Sequence, residues 1–148
     1  MMSASDIQTE GILVVDDEEV IVFAITQLLK VQGFENLQAA YDGSDCVELV
    51  LQNREAISLV ILDIRMDHMD GFTTVRALME KYDGVLGVIF MTGYASLRLE
   101  EEARALGNDN ILVLDFMHKP FEMTDLLDVV SRNLPTVLEK RKELAGDS

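Results

Sequence analysis

Four apolar runs in the chain each end on side chains able to handle a phosphoryl group or a metal ion. GILVV leads into Asp16 and Asp17, SLVIL into Asp63, VLGVIFM into Thr92, and LDFMH into Lys119, which precedes Pro120. Carboxylates brought within a few ångströms repel unless a cation or a proton intervenes. Hard divalent cations, Mg²⁺ above all, use one or two carboxylates together with water and phosphate oxygens. A carboxylate can also attack phosphorus and form an aspartyl-phosphate. A hydroxyl can donate to one phosphoryl oxygen, and an ammonium can pair with another. Each residue has a plainer use as well. Asp16 and Asp17, followed by Glu18 and Glu19, suit a helix N-terminus. Asp63 alone reads as a turn residue, Thr92 as a strand end and Lys119 as a solvated charge. Their joint occurrence at four run ends favours one shared site.

Such residues meet only if the runs are neighbouring strands of an open parallel sheet, whose carboxyl ends converge on one crevice. The chain alternates accordingly between strand-like runs and segments of helical period. Strands are predicted at 12–15, 36–40, 57–62, 85–91 and within 111–118. A helix follows from about Glu18 with Ile21, Ile25, Leu28 and Leu29 on one stripe, and another carries Cys46, Val47, Val50 and Leu51. A third, after the loop IRMDHMDG, turns Phe72, Val75, Leu78, Met79 and Tyr82 inward. A fourth spans 95–106. The last starts near Met123 with Leu126, Leu127, Val130 and Leu134 on one face, and Pro135 is expected to interrupt it.

At 148 residues the length suits one domain, and 49% hydrophobic content suits a folded one. The longest apolar stretches fall far short of the ~20 residues that span a bilayer. The N-terminus has neither a basic region nor an apolar one of the kind that forms a secretory signal. Cys46 is the single cysteine, which suits a reducing compartment; a cytoplasmic location is expected. The net charge of −15 leaves little material for a phosphate-neutralising face, so direct nucleic-acid binding is not expected. The one basic cluster, Lys140, Arg141 and Lys142, is interleaved with Glu139 and Glu143 and reads as a solvated helix surface.

The motifs DDEE, LVILDIRMDHMDG, MTGYA and FMHKPF, in this order and at these intervals, resemble the receiver domain of bacterial two-component response regulators, chemotaxis regulators among them. The resemblance covers about residues 10–134. It implies a doubly wound, flavodoxin-like five-stranded parallel sheet of order 2-1-3-4-5, with 1–10 as an extension, 11–134 as the receiver and 135–148 as a helical or flexible tail. It further implies that Asp63 is the phosphoacceptor, served by a phosphohistidine on a sensor kinase or phosphotransfer protein. Asp16, Asp17, Asp63 and the backbone carbonyl of Arg65 would hold Mg²⁺ or Mn²⁺. Thr92 and Lys119 would contact the phosphoryl group, and Phe116 would be the aromatic switch. The output would be a change of the face built from the fourth helix, fifth strand and fifth helix. A downstream protein target is implied, a homodimer is compatible, and slow self-dephosphorylation replaces enzymatic turnover.

The sequence departs from the family pattern in two places. Asp67 and His68 stand where the loop usually reads Pro-Gly, and GNDNILVLDF is longer than usual. Arg65 and Tyr94 occupy positions that tune phosphoryl lifetime in the family. His68 is expected to be an exposed loop residue and His118 to be structural. Other classes fit less well. Aspartyl-phosphate hydrolases need Asp-x-Asp after the first strand, and no glycine-rich nucleotide loop occurs. A phosphorylation-independent adaptor of the same fold, or the receiver part of a longer regulator, remains the alternative.

Overall fold

The computed structural model describes residues 4–94 and 96–146. Ala95, expected to open the fourth helix, and Asp147 and Ser148 of the tail lie outside the described residues. The elements are α1 (Ala4–Ile7), β1 (Gly11–Val15), α2 (Glu19–Val31), β2 (Leu37–Ala40), α3 (Gly43–Gln52), β3 (Ile57–Asp63), α4 (Gly71–Lys81), β4 (Leu86–Thr92), α5 (Leu97–Ala105), β5 (Ile111–His118) and α6 (Met123–Gly146). Five strands form one parallel sheet in the order β2-β1-β3-β4-β5. Among the described residues no helix is long and apolar enough to cross a membrane.

The continuous apolar runs become β1, β3 and β4, buried at every position. Strands covered on both faces need apolar side chains in both directions, so alternation is absent from their sequences. Leu13 and Val15 point to one face, with Val60, Leu62, Val88 and Phe90, against Cys46, Val47, Val50, Phe72, Val75, Leu78 and Ala103 of α3, α4 and α5. Phe72 meets Phe90 edge-on at 5.3 Å. Ile12 and Val14 point the other way, with Leu59, Ile61, Ile89 and Met91, against Val22, Ile25 and Leu29 of α2 and Leu126, Val129, Val130 and Leu134 of α6. Asp42, Asp70 and Ser96 cap α3, α4 and α5, each accepting an amide three residues on.

Three expectations are corrected. The short helix α1 was not anticipated; its Ile7 is buried in the α2–α6 layer. Pro135 does not interrupt the last helix, which runs unbroken to Gly146 with Val137 buried beyond the proline. Pro135 has no N–H to donate to the carbonyl of the exposed Ser131, while burial on both sides of it holds the helix together. Nor is the basic cluster wholly solvated. Arg141 reaches under the sheet and donates to the carbonyls of Val85 (3.0 Å), Glu55 (3.1 Å) and Ile57 (2.8 Å), and to Ser58 Oγ (3.0 Å). Ser58 in turn donates to Glu10 at 2.5 Å.

Candidate functional site

Parallel strands deliver their last residues to one edge, and the acids lie there. Asp16 is the first residue past β1 and is fully buried. One of its carboxylate oxygens accepts the Glu18 amide, two residues on, at 3.0 Å, and the other receives Lys119 Nζ at 2.6 Å. Asp17 is exposed and accepts the Asp67 amide at 3.4 Å, which ties the loop after β3 to the end of β1. Asp63 closes β3, paired across the sheet with Met91, and is 4% exposed. Asp16, Asp17 and Asp63 each offer a carboxylate oxygen within 4.8 Å of the others. Lys119 Nζ lies 3.4 Å from Asp63 Oδ1 as well, so one ammonium serves two buried carboxylates.

Charge is therefore unbalanced. Burial pushes the Asp63 carboxyl up to about 7, the negative Asp16 adds to this, and Asp17 adds a little more, while Lys119 pulls the other way. Burial works against the Lys119 ammonium, but its hydrogen bond to Asp16 and the charge of Asp63 hold its pKa above the usual lysine value. Three acids facing one lysine, all with oxygen donors, fit a hard divalent cation that would offset the remaining negative charge.

The other expected residues surround this centre. Thr92 is fully buried at the end of β4, and its Oγ1 accepts the Tyr94 amide at 3.1 Å. Its carbonyl accepts the Lys119 amide at 2.8 Å, which carries the β4–β5 ladder into the pocket; the Lys119–Pro120 peptide is cis. The Arg65 guanidinium stacks over the Tyr94 ring, 4.2 Å from its centre, at the rim. Arg65, Asp17, Asp67, Asp70 and Glu102 border an open cleft of about 490 Å³ beside the acids. Phe116 is half-buried against the core of the α3–α5 layer. His118 is exposed with its ring 6.5 Å from that of Phe116, and His68 is exposed with φ at 69°.

Sequence reasoning missed the part played by Gly71. A Cβ there would sit 2.6 Å from the Asp63 carbonyl oxygen and 2.9 Å from Ile64 Cα. Only glycine lets the start of α4 pack this closely on the Asp63 backbone. The Asp-Gly pair before an apolar period was the available signal, since Asp70 also caps the helix.

The sequence matches the response regulator receiver domain over residues 12–131. It is 32% identical to sporulation initiation phosphotransferase F of Bacillus subtilis over 126 residues, which span 85% of this chain and 94% of that protein. It is 31% identical to the chemotaxis protein CheY of Treponema pallidum over 120 residues, spanning 81% and 79% of the two chains. Among solved structures, the signal receiver domain of an HD domain-containing protein from Pseudomonas fluorescens Pf-5 superposes with a TM-score of 0.75 at 28% identity, covering 88% of this chain and 98% of that one. Sheet order, acidic crevice and sequence thus agree: the chain belongs to the response regulator receiver domain family of two-component signalling, whose members act as phosphoacceptor switches.

Proposed function

We propose that Asp63 accepts a phosphoryl group from a phosphohistidine and that this protein signals by the shape change that follows. The observation that carries this reading is the convergence of Asp16, Asp17, Asp63 and Lys119 at the strand ends. Asp16, Asp17 and Asp63, with the backbone carbonyl of Arg65, would hold Mg²⁺ or Mn²⁺. Bound there, the ion would supply positive charge to the phosphoryl oxygens.

An Asp63 carboxylate oxygen attacks phosphorus in line with the P–N bond of the donor. The new P–O bond forms as the P–N bond breaks, and the departing imidazole takes up a proton. Lys119 pairs with an equatorial phosphoryl oxygen, a role for which its ammonium is already held in the pocket by Asp16. Thr92 turns its hydroxyl from the Tyr94 backbone toward the new dianion, and Phe116 follows inward. The face formed by α5, β5 and α6 then changes shape, a population shift toward the packing in which the phosphate finds more donors. Later, water attacks phosphorus, the acyl-phosphate P–O bond breaks, and inorganic phosphate leaves with the Asp63 carboxylate restored. Tyr94, stacked on Arg65, hinders that water and lengthens the lifetime of the phosphorylated state.

A phosphohistidine protein must cover the ground beside Asp63. Val20 (78% exposed) and Phe23 (65% exposed) lie on the solvent side of α2. A groove of about 320 Å³ between Ile21, Ala24 and Leu28 and the Lys119–Pro120–Phe121 turn adjoins them. These supply apolar docking ground next to the pocket lysine. The test is incubation with a small phosphodonor and magnesium, followed by intact-mass measurement. Wild type should gain one phosphoryl group and Asp63→Asn none; an unphosphorylated wild type leaves the adaptor reading in its place.

A further inference from the structure

β5 contains one residue more than its neighbour can pair. Val88 lies opposite Val113, but the next residue of β4, Ile89, lies opposite Asp115, so Leu114 is left over as a bulge. Before the bulge, Ile111 and Val113 face the α3–α5 layer. Leu114 faces the other layer, where its Cδ1 would lie 3.0 Å from a Cβ on Gly87, next to Val137 of α6. Strict alternation would return Asp115 to the α3–α5 side, and Met117 and Lys119 with it. The reverse is found. Asp115 turns to α6, where Oδ2 accepts Arg132 Nε (3.1 Å), Arg132 Nη2 (2.6 Å) and Asn133 Nδ2 (2.9 Å). Its Oδ1 accepts the Phe116 amide at 3.0 Å. Beyond it Phe116 faces the α3–α5 core, Met117 is buried in the α2–α6 layer, and Lys119, in phase with Met117, reaches Asp16 and Asp63.

A shift of one residue inverts the facing of every later side chain. Because β5 is an edge strand with one partner, a single ladder fixes its register. We infer that Asp115 is a positioning residue for phosphoryl transfer: by clamping the Leu114 bulge to Arg132 and Asn133 it sets the face from which Lys119 enters the acidic crevice. The chemical consequence rests on the phosphoacceptor reading; the placement of Lys119 does not, and it can be measured separately.

Lysine acetylation with a succinimidyl ester, read by peptide mapping, reports that placement. In wild type Lys119 should label slowly, since its side chain is 18% exposed and held by Asp16. Asp115→Ala should raise Lys119 labelling several-fold while Lys30 and Lys81 stay unchanged. Asp115→Asn, whose single acceptor oxygen can serve either the Phe116 amide or the Arg132 and Asn133 donors but not both, should label between wild type and Asp115→Ala. With a small phosphodonor and magnesium, Asp115→Ala should phosphorylate roughly tenfold more slowly, yet bind magnesium at least as tightly as wild type does, because the acids stand at the ends of β1 and β3 and lose the competing Lys119 charge. If Asp115→Ala does not fold, Asn133→Leu, which leaves Arg132 in place, carries the same comparison. Unchanged Lys119 labelling in a folded variant, or an equal rise at Lys30 and Lys81, overturns the assignment. A wild type that takes no phosphoryl group defeats the phosphoacceptor reading instead, while the labelling still decides the role of the bulge.

Discussion

Replacing Asp63 by Asn should stabilise the magnesium-free protein, and by an amount that grows with pH. The folded carboxyl titrates near 7 against an ordinary 3.8, chiefly because it is buried and secondarily because Asp16 faces it. Between those two values the folded chain binds more protons here than the unfolded chain does. Stability contributed by the protonated form is therefore fully present below about pH 4 and is lost as pH rises through 7. At about 1.4 kcal/mol per tenfold change, the difference between 3.8 and about 7 amounts to on the order of 4 kcal/mol, of which about 3 is lost between pH 5 and pH 8. The amide of Asp63→Asn carries no such charge, and the substitution leaves Asp16, which Lys119 contacts at 2.6 Å, in place as the lysine's partner. Urea unfolding of both proteins in EDTA, at steps from pH 5 to pH 8, gives the comparison directly, since the two chains differ only at this side chain. The gap should widen by roughly 3 kcal/mol across that range. At pH 8, magnesium at ten times its Kd should return about 1.4 kcal/mol to wild type and less to the variant. A gap that stays constant from pH 5 to pH 8 refutes the account of a carboxylate held under charge stress.

Phe23→Asp should cut transfer from a phosphohistidine protein by about tenfold or more while leaving phosphorylation by a small donor unchanged, because the substitution alters docking ground and not the pocket. Equal loss with both donors would mean that Phe23 supports the fold. Tyr94→Ala should speed dephosphorylation several-fold in a phosphate-release assay; an unchanged rate removes Tyr94 from control of the attacking water. Arg141→Ala should lower unfolding free energy by about 2–4 kcal/mol, since it strips a charged donor from three carbonyls and Ser58. Arg141→Lys should recover less than half, a single ammonium being unable to reach all of them. His68, at φ 69°, sits where a side chain is disfavoured. His68→Gly should be neutral to about 0.5 kcal/mol stabilising and His68→Val about 1 kcal/mol destabilising in the same urea assay.

The parts legible in the sequence are those that local pattern determines. The apolar runs of β1, β3 and β4 admit no other placement than the middle of a two-sided sheet, and the acids follow because they end those runs. Lys119 was legible for the same reason. What stayed hidden depends on partners far away in the chain. Arg141 satisfies carbonyls at residues 55, 57 and 85, and no pattern around KRKE announces this. Pro135 marks a helix end by local rules, and burial of Val137 overrides it. The bulge in β5 did leave a trace: Asp115 interrupts an otherwise apolar strand, a cost that makes sense once Arg132 and Asn133 are seen to receive it.

The Arg141 clasp also decides where anything joined after α6 departs from the molecule. Arg141 holds the helix at the amino ends of β3 and β4, whereas Asp63 lies at the carboxyl end of the seven-residue β3. At about 3.3 Å per residue the two ends are roughly 20 Å apart. A dye or an immobilising tether attached at that terminus would hang from the floor of the sheet, leaving the crevice open to any phosphate donor in solution.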